Sequence, residues 1–431
     1  MSVLNIIKLT TFSLYILYPT ILVADGFSDF QIPALDVTEN VITSDSTSSA
    51  WKHTISYNGG IDNDKKLIIN RITWRAQWEG LLSNNNYLVC DAKARVFDRQ
   101  DMQNTKVDGS LDFDIKINSL YLQKSFDKNS LITGYHSLSL GFMDMLASAD
   151  VFTPRDYSES AFTSPEDARI GQPLINWTWY KKQQHWDFIL NLYPAENRYP
   201  VSNLRKVIAD FLGTTNFSLL DGLPKAFEAP ELLVRTRTQN GKHEQQWIIG
   251  NLLQNDPGLK QVSLVPTIIY TTEYPRFNLY AAGYSYTSGN HQLKFEAALK
   301  NGLKPIDALG TQLDEISTGL GWEYSANGDY TLALEGGISR RFLPLGATTS
   351  IQTEFDQIMA RWSKTFLNET VKTTLFIGKT SPGPIRMTSL SIQYIPVDDW
   401  VFELVSTHID ANNSQYNIFT SNTTLKSSYY W

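Results

Sequence analysis

The 431-residue sequence holds a single cysteine, Cys90, so no intramolecular disulfide can form and no cysteine-based zinc site is available. It has no excess of basic charge. With 37 Lys and Arg against 44 Asp and Glu the net charge is −7, the wrong sign for phosphate contacts, and no nucleic-acid partner is expected. Past residue 24 no stretch approaches the roughly 20 apolar residues of a spanning helix, so any membrane crossing must be made by strands. Pro/Gly/Ser-rich linkers and abrupt shifts of composition are absent too, which points to one large architecture rather than several small domains. No HExxH, GxSxG, P-loop or paired-Cys spacing occurs, and His53, His136, His185, His243, His291 and His408 are scattered. His136 and Ser137 are adjacent, but neighbours on a strand point to opposite faces. Neither an enzyme nor a cofactor is expected.

What is abundant is aromatic: 11 Trp, 21 Tyr and 21 Phe, 12% of the chain. The mean hydropathy is nevertheless slightly polar, −0.25. Barrels that meet lipid combine the two, with aromatic girdles at both interfaces and a polar lumen, although a soluble β-protein with an aromatic core has the same totals. The amino terminus separates these alternatives. Lys8 precedes an apolar run from Leu9 to Val23, ending at Ala24 before Asp25 and Gly26, the pattern of a cleaved secretory signal peptide over residues 1–24. Leu22 stands where a small residue is preferred, and the alternative is a retained anchor. Residues 25–50 then form a periplasmic segment, and 51–431 the rest.

Period-two alternation marks strands in that remainder. From Asn70 to Glu79, Ile72, Trp74, Ala76 and Trp78 share one face, and Arg71, Thr73, Arg75, Gln77 and Glu79 the other. His291–Lys300 and Glu315–Tyr324 repeat the pattern. Short polar turns fall near Ser83–Asn86, Asp127–Asn129, Gln183–Gln184, Gln239–Gly241, Ser288–Asn290, Asn327–Gly328, Asn368–Glu369 and Val397–Asp399, each joining an even-numbered strand to the next odd one. Between them lie longer connections, including Phe97–Ser110, Met143–Asp167, Pro194–Phe227, Asn251–Pro275 and Asn301–Asp314. Short turns on one rim and long loops on the other predict an all-β fold, a transmembrane antiparallel up-and-down β-barrel with the short rim periplasmic. The strands fall at 51–58, 67–80, 86–97, 112–126, 130–142, 168–181, 185–193, 228–238, 242–250, 276–287, 291–300, 314–325, 329–340, 352–366, 370–379, 386–395, 400–409 and 420–431: about eighteen, with sixteen as the alternative. Pro266 interrupts a strand-like pattern in Lys260–Thr272. Trp431 closes the chain, with Tyr429 and Leu425 on the same alternating face. It resembles the terminal aromatic signal that barrel-assembly machinery reads, with Ser427 interrupting the series.

The stretch "GYHSLSLGFMDMLASADVFTPRDYSESAF", followed by "EDARIGQPLINWTWY" and later "EYPRFNLYAAGYSY", resembles the alginate-export-like outer-membrane porin family and its uncharacterised bacterial relatives. There a strand such as Ser137–Phe142 enters a loop with a turn like Thr153-Pro154-Arg155-Asp156 and returns through an Arg-led strand, here Arg169–Tyr180. The resemblance implies an eighteen-stranded barrel that passes small or polymeric solutes, without fixing alginate as the solute.

Lipid-facing Arg or Lys at mid-bilayer costs about 2–4 kcal/mol, so alternation assigns the charges inward. That places Arg71, Arg75, Lys93 and Arg95 together with Glu79 and Asp91, and offers Arg169, Arg235 and Arg237 on later strands. The Asp144–Asp167 connection, with Asp144, Asp150, Arg155, Asp156, Glu159, Glu166 and Asp167, is the candidate constriction, and 200–225 could plug or cap the mouth. The lumenal charges either select anions or merely pair with one another. The expected partners are outer-membrane lipid, the assembly machinery and a hydrophilic, anionic solute. The expected role is a porin-like channel, the alternatives being a polymer-specific exporter and a non-conducting surface or adhesin barrel.

Overall fold

In the computed structural model the described residues are 50–431, apart from 84, 105, 107–108, 147, 157–167, 199–216, 221–228, 264–267, 306–307, 309, 327–329, 345–352, 382–384 and 412–420. The expected signal peptide, the Asn327–Gly328 turn, Glu159, Glu166, Asp167 and most of 200–225 lie outside them.

In chain order the strands are β1 (Lys52–Asp62), β2 (Leu67–Ser83), β3 (Asn86–Phe97), β4 (Asp112–Ser125), β5 (Asn129–His136), β6 (Gln172–Lys181), β7 (Gln184–Asn191), β8 (Phe217–Leu220), β9 (Glu231–Asn240), β10 (His243–Leu253), β11 (Gly258–Ser263), β12 (Ile268–Glu273), β13 (Arg276–Ser288), β14 (His291–Leu303), β15 (Leu313–Ala326), β16 (Tyr330–Phe342), β17 (Glu354–Phe366), β18 (Val371–Ser381), β19 (Ile385–Val397), β20 (Trp400–Ala411) and β21 (Asn422–Tyr430). Eighteen of them form one antiparallel sheet, each paired with its neighbours along the chain. β7 pairs with β9 and β10 with β13 across the excursions that carry the other three strands. Pairing of β1 with β21 closes the sheet and removes its edges. An even strand number brings both ends to one rim, where the His53 and Trp431 backbones exchange bonds of 3.0 and 3.1 Å.

The alternation decides which face is which. Ile72, Trp74, Trp247, Ile249, Leu320 and Ile358 stand exposed on the outer face, whereas Arg71, Thr73, Gln246, Glu296 and Arg361 are buried on the inner one. So broad an apolar belt on the outer face is tolerable only against lipid. The tight turns sit with the chain ends. Gly241 and Gly289 take φ of 58° and 59° there, the left-handed conformation that two-residue hairpins require. The long connections gather at the opposite rim. Two of them, the β7–β9 and β10–β13 connections, together build a three-stranded sheet in which β12 pairs antiparallel with β11 and parallel with β8. It docks on the β14–β15 connection through Gln254 and Lys304 (3.0 Å), with Lys304 also bonded to Glu273 (3.4 Å).

All eighteen expected wall strands are present, and one expectation fails. The strand placed at 130–142 ends at His136, and its partner begins at Gln172 rather than Ala168. Ser137 to Leu140 alternate like a strand, but Leu138 and Leu140 are buried in an apolar cluster inside the barrel, not on its lipid face. The chain leaves the wall there and turns inward. The Lys260–Thr272 pattern does form strands, β11 and β12, but in the small sheet rather than the wall.

Candidate functional site in the barrel interior

The described part of the β5–β6 connection from 137 to 156 folds back into the barrel and is fastened at both ends. At its root the Thr153 hydroxyl donates to the Leu138 carbonyl (2.6 Å) and accepts from the Leu138 amide (3.0 Å), while Asp150 accepts from the Leu140 amide (3.0 Å). These bonds aim Leu138, Leu140, Ala149 and Phe152 at inward-facing apolar residues of the wall: Leu174, Ile189, Leu233, Ile248, Leu279 and others on β6 to β15. Each large side chain so buried contributes roughly 1.5–3 kcal/mol.

The far end is held by two carboxylates. Glu296 of β14 accepts from the amides of Phe142, Met143 (2.7 Å) and Ala149 (3.4 Å). Glu335 of β16 accepts from Asp144 (2.9 Å), Met145 (2.9 Å) and Leu146 (2.7 Å). The Asp144 carboxylate in turn meets Lys294 of β14 (2.8 Å) and Arg361 of β17 (3.5 Å). Small wall residues make room for this close approach. A Cβ on Gly319 would stand 2.9 Å from Met143, and one on Gly283 would stand 2.8 Å from Phe142. Rooted between β5 and β6 and clasped at β14 to β17, the loop crosses the interior as a chord.

The chord leaves two unlike compartments. The β6–β15 side holds the apolar cluster, with buried polar residues such as Asp187, Arg235, Gln246 and Glu315 set beside it. The β17–β21 and β1–β4 side presents hydroxyls and charges: Thr380, Ser389, Thr407, Thr424, Ser428, Thr54 and Ser56 face inward, with Ser389 and Thr407 bonded to each other at 3.1 Å and Ser391 donating to Glu403 at 3.0 Å.

The basic residues singled out by alternation all lie within the barrel or on the inward loop, and most meet a carboxylate. Arg71 grips Asp101 of the β3–β4 connection at 3.0 and 3.1 Å, both fully buried. Arg75 takes Asp91 at 2.8 and 2.5 Å. Arg95 bonds to Asp114 and to Asp156 (3.2 Å), and Lys116 stands 3.8 Å from Asp156. Lys93, opposite Arg75 across the β2–β3 ladder, is buried on the same face. Arg155 (2.9 Å) and Arg169 (3.2 Å) share Asp150. Arg235 holds Asp187 (2.8 Å) and the Ser139 carbonyl (3.0 Å). Arg237 makes no ion pair among the described residues, and its Nε, like Nε2 of its cross-strand partner Gln246, is a buried donor without an acceptor. The eight therefore fall apart: Arg71, Arg75, Lys93 and Arg95 on the polar side, Arg155, Arg169 and Arg235 around the root of the loop, and Arg237 further along β9.

Glu296, Glu335 and Arg361 were not picked out from the sequence. The available signal was a glutamate on an inward face beside small residues, as in Glu296-Ala297-Ala298 and Glu335-Gly336-Gly337.

At the short-turn rim the outer face is ringed by aromatics. Tyr429 stacks between Trp400 (5.0 Å) and Trp431 (5.8 Å), and Trp431 lies 5.5 Å from His53, which continues to Trp74 (5.8 Å). The two terminal aromatics thus sit across the seam where first and last strands join.

No protein-family model matches the sequence, and no curated protein does. Several solved structures share the fold. OpdK of Pseudomonas aeruginosa, solved with vanillate, superposes with a TM-score of 0.57 at 8% identity, covering 88% of this chain and 98% of that one. OccK11 (OpdR) of the same organism gives 0.54 at 10% identity, covering 89% and 95%. OccAB4 of Acinetobacter baumannii gives 0.52 at 10% identity, covering 89% and 99%. OpdK is an outer membrane protein. At these identities the likeness shows the fold, an eighteen-stranded antiparallel β-barrel.

Proposed function

We propose that this chain is an outer-membrane, porin-like channel for passive movement of small hydrophilic solutes, anions among them, with no bond-making chemistry. The observation that supports it is the loop clasped inside a lipid-compatible barrel, opposite an inward wall rich in hydroxyls and paired charges. Hydroxyls can replace a solute's hydration, and Lys93 lies on the same inward face as the Arg75–Asp91 pair. The vanillate bound by OpdK makes small aromatic carboxylates sensible first solutes to try. The resemblance to alginate-export-like channels supports a polymer-specific exporter instead, but a loop fastened at both ends favours small solutes. Reconstitution in planar bilayers tests the proposal. Discrete conductance steps with a reversal potential on the anion side are expected, and a silent, folded barrel would favour an adhesin.

Two further expectations belong to the same proposal. The chain reaches its membrane through a cleaved signal over 1–24. Trp431 and Tyr429 serve barrel assembly, so deleting Trp431 should reduce folded, heat-modifiable protein while secretion through the inner membrane stays intact. Unchanged folded yield would make the terminal aromatic incidental.

A further inference from the structure

The outer face differs between its two rims. The short-turn rim carries the aromatic ring, whereas over β16 to β20 the long-loop rim ends in charge. Along β18 the outward residues run Leu375, Ile377, then Lys379; along β19 they run Leu390, Thr388, then Arg386. Lys379 and Arg386 are direct partners across the ladder, and both are exposed on the outer face. Like charges placed opposite each other repel unless an anion lies between them. Among the described residues neither has an ion-pair or hydrogen-bond partner. The acidic neighbours on one side are engaged, since Arg340 takes Glu354 (3.5 Å) and Asp356 (3.1 Å). On the other side Asp410 faces Arg386 in register without bonding to it.

Their height is informative. Both stand one outward position beyond the apolar belt, where a bilayer's headgroups begin, and both point away from the lumen, so no permeating solute passes them. Adjacent strands lie about 4.8 Å apart, a separation at which an ammonium and a guanidinium can share one tetrahedral phosphate. We propose that Lys379 and Arg386 form an exterior site for the phosphate of a membrane lipid in the leaflet at the long-loop rim. The inference rests on the membrane reading above and extends it from the lumen to the lipid boundary.

The test uses the whole barrel in phosphatidylcholine nanodiscs with and without lipid A, the phosphorylated probe, with retained lipid read by native mass spectrometry. The wild type should keep lipid A through detergent exchange. K379Q/R386Q should lose it several-fold, and K379R/R386K should keep it. A K65Q/K66Q variant, which removes the same charge from the β1–β2 turn at the same rim, should behave as the wild type. Equal loss in that control would reduce the effect to general electrostatics and overturn the site, as would full retention by K379Q/R386Q. Inorganic phosphate competing as well as lipid A would make it a free-anion site and also overturn it. Conductance measured on the same samples is independent: a barrel that retains lipid A but never conducts leaves this site standing and removes the channel.

Discussion

The two sides of the barrel interior are built from the same wall yet solve opposite problems. On β6 to β15 the inward faces carry Leu174, Ile189, Leu233, Ile248 and Leu279, closed over by Leu140 and Phe152 of the loop. On β17 to β21 and β1 to β4 the same positions are richer in threonine, serine and paired charge, interspersed with Phe355, Met359, Phe376, Met387 and Val405, none of which joins the apolar cluster. One side is a core and the other a water-compatible surface. The contrast shows how an eighteen-stranded barrel, wide enough for an aqueous channel, can be narrowed without a plug domain.

The contrast breaks most completely if the clasp is removed. In E296A/E335A, six backbone donors of the loop lose their acceptors, each buried one costing about 1–3 kcal/mol, so the tip should leave the wall. Single-channel conductance should rise several-fold and become noisy while the barrel still folds. Unaltered conductance would mean that the loop does not set the bore.

Next in size is the core itself. Phe152→Ala should destabilise the folded barrel by about 3–5 kcal/mol, because it empties a fully buried position. Thr407→Ala, on the polar wall, should cost about 1 kcal/mol for its bond to Ser389. Urea midpoints in detergent measure both. Equal shifts would erase the distinction between the two sides.

The smallest expected effect is electrostatic. Among the described residues Arg237 makes no ion pair, so Arg237→Gln removes a charge without orphaning another and, acting through its field from β9 rather than by contact with the polar wall, should move the reversal potential slightly toward cations. The shift should shrink as salt is raised, since screening acts over about 8 Å at physiological ionic strength. Arg71→Gln is a poorer probe, because it strands buried Asp101. A reversal potential unmoved at low salt would place the selective charges elsewhere.

The wall was legible because lipid enforces period two on every strand, and each tight turn punctuates it; β3 begins and ends where alternation puts it, at 86 and 97. The departure at His136 was not legible. Leu138 and Leu140 satisfy the strand pattern equally well facing lipid or facing Leu174 and Ile248, and only the tertiary partner decides. For the charges, alternation gave the facing but not the pairing. Asp101 reaches Arg71 from the β3–β4 connection, and Asp156 reaches Arg95 across a separation of 61 residues. The clasp was hidden for a related reason: Glu296 and Glu335 bind backbone amides, which leave no trace in residue identity.

The most direct test of the divided interior is thiol accessibility under current. In a Cys90→Ser background, single cysteines replace Ser389 or Thr407 on the polar wall and Ile248 or Ala281 on the apolar side, and a charged thiosulfonate is added while conductance is recorded. Block at positions 389 and 407 with none at 248 and 281 is the predicted result. Block at 248 or 281 with the clasp intact would contradict the division of the lumen.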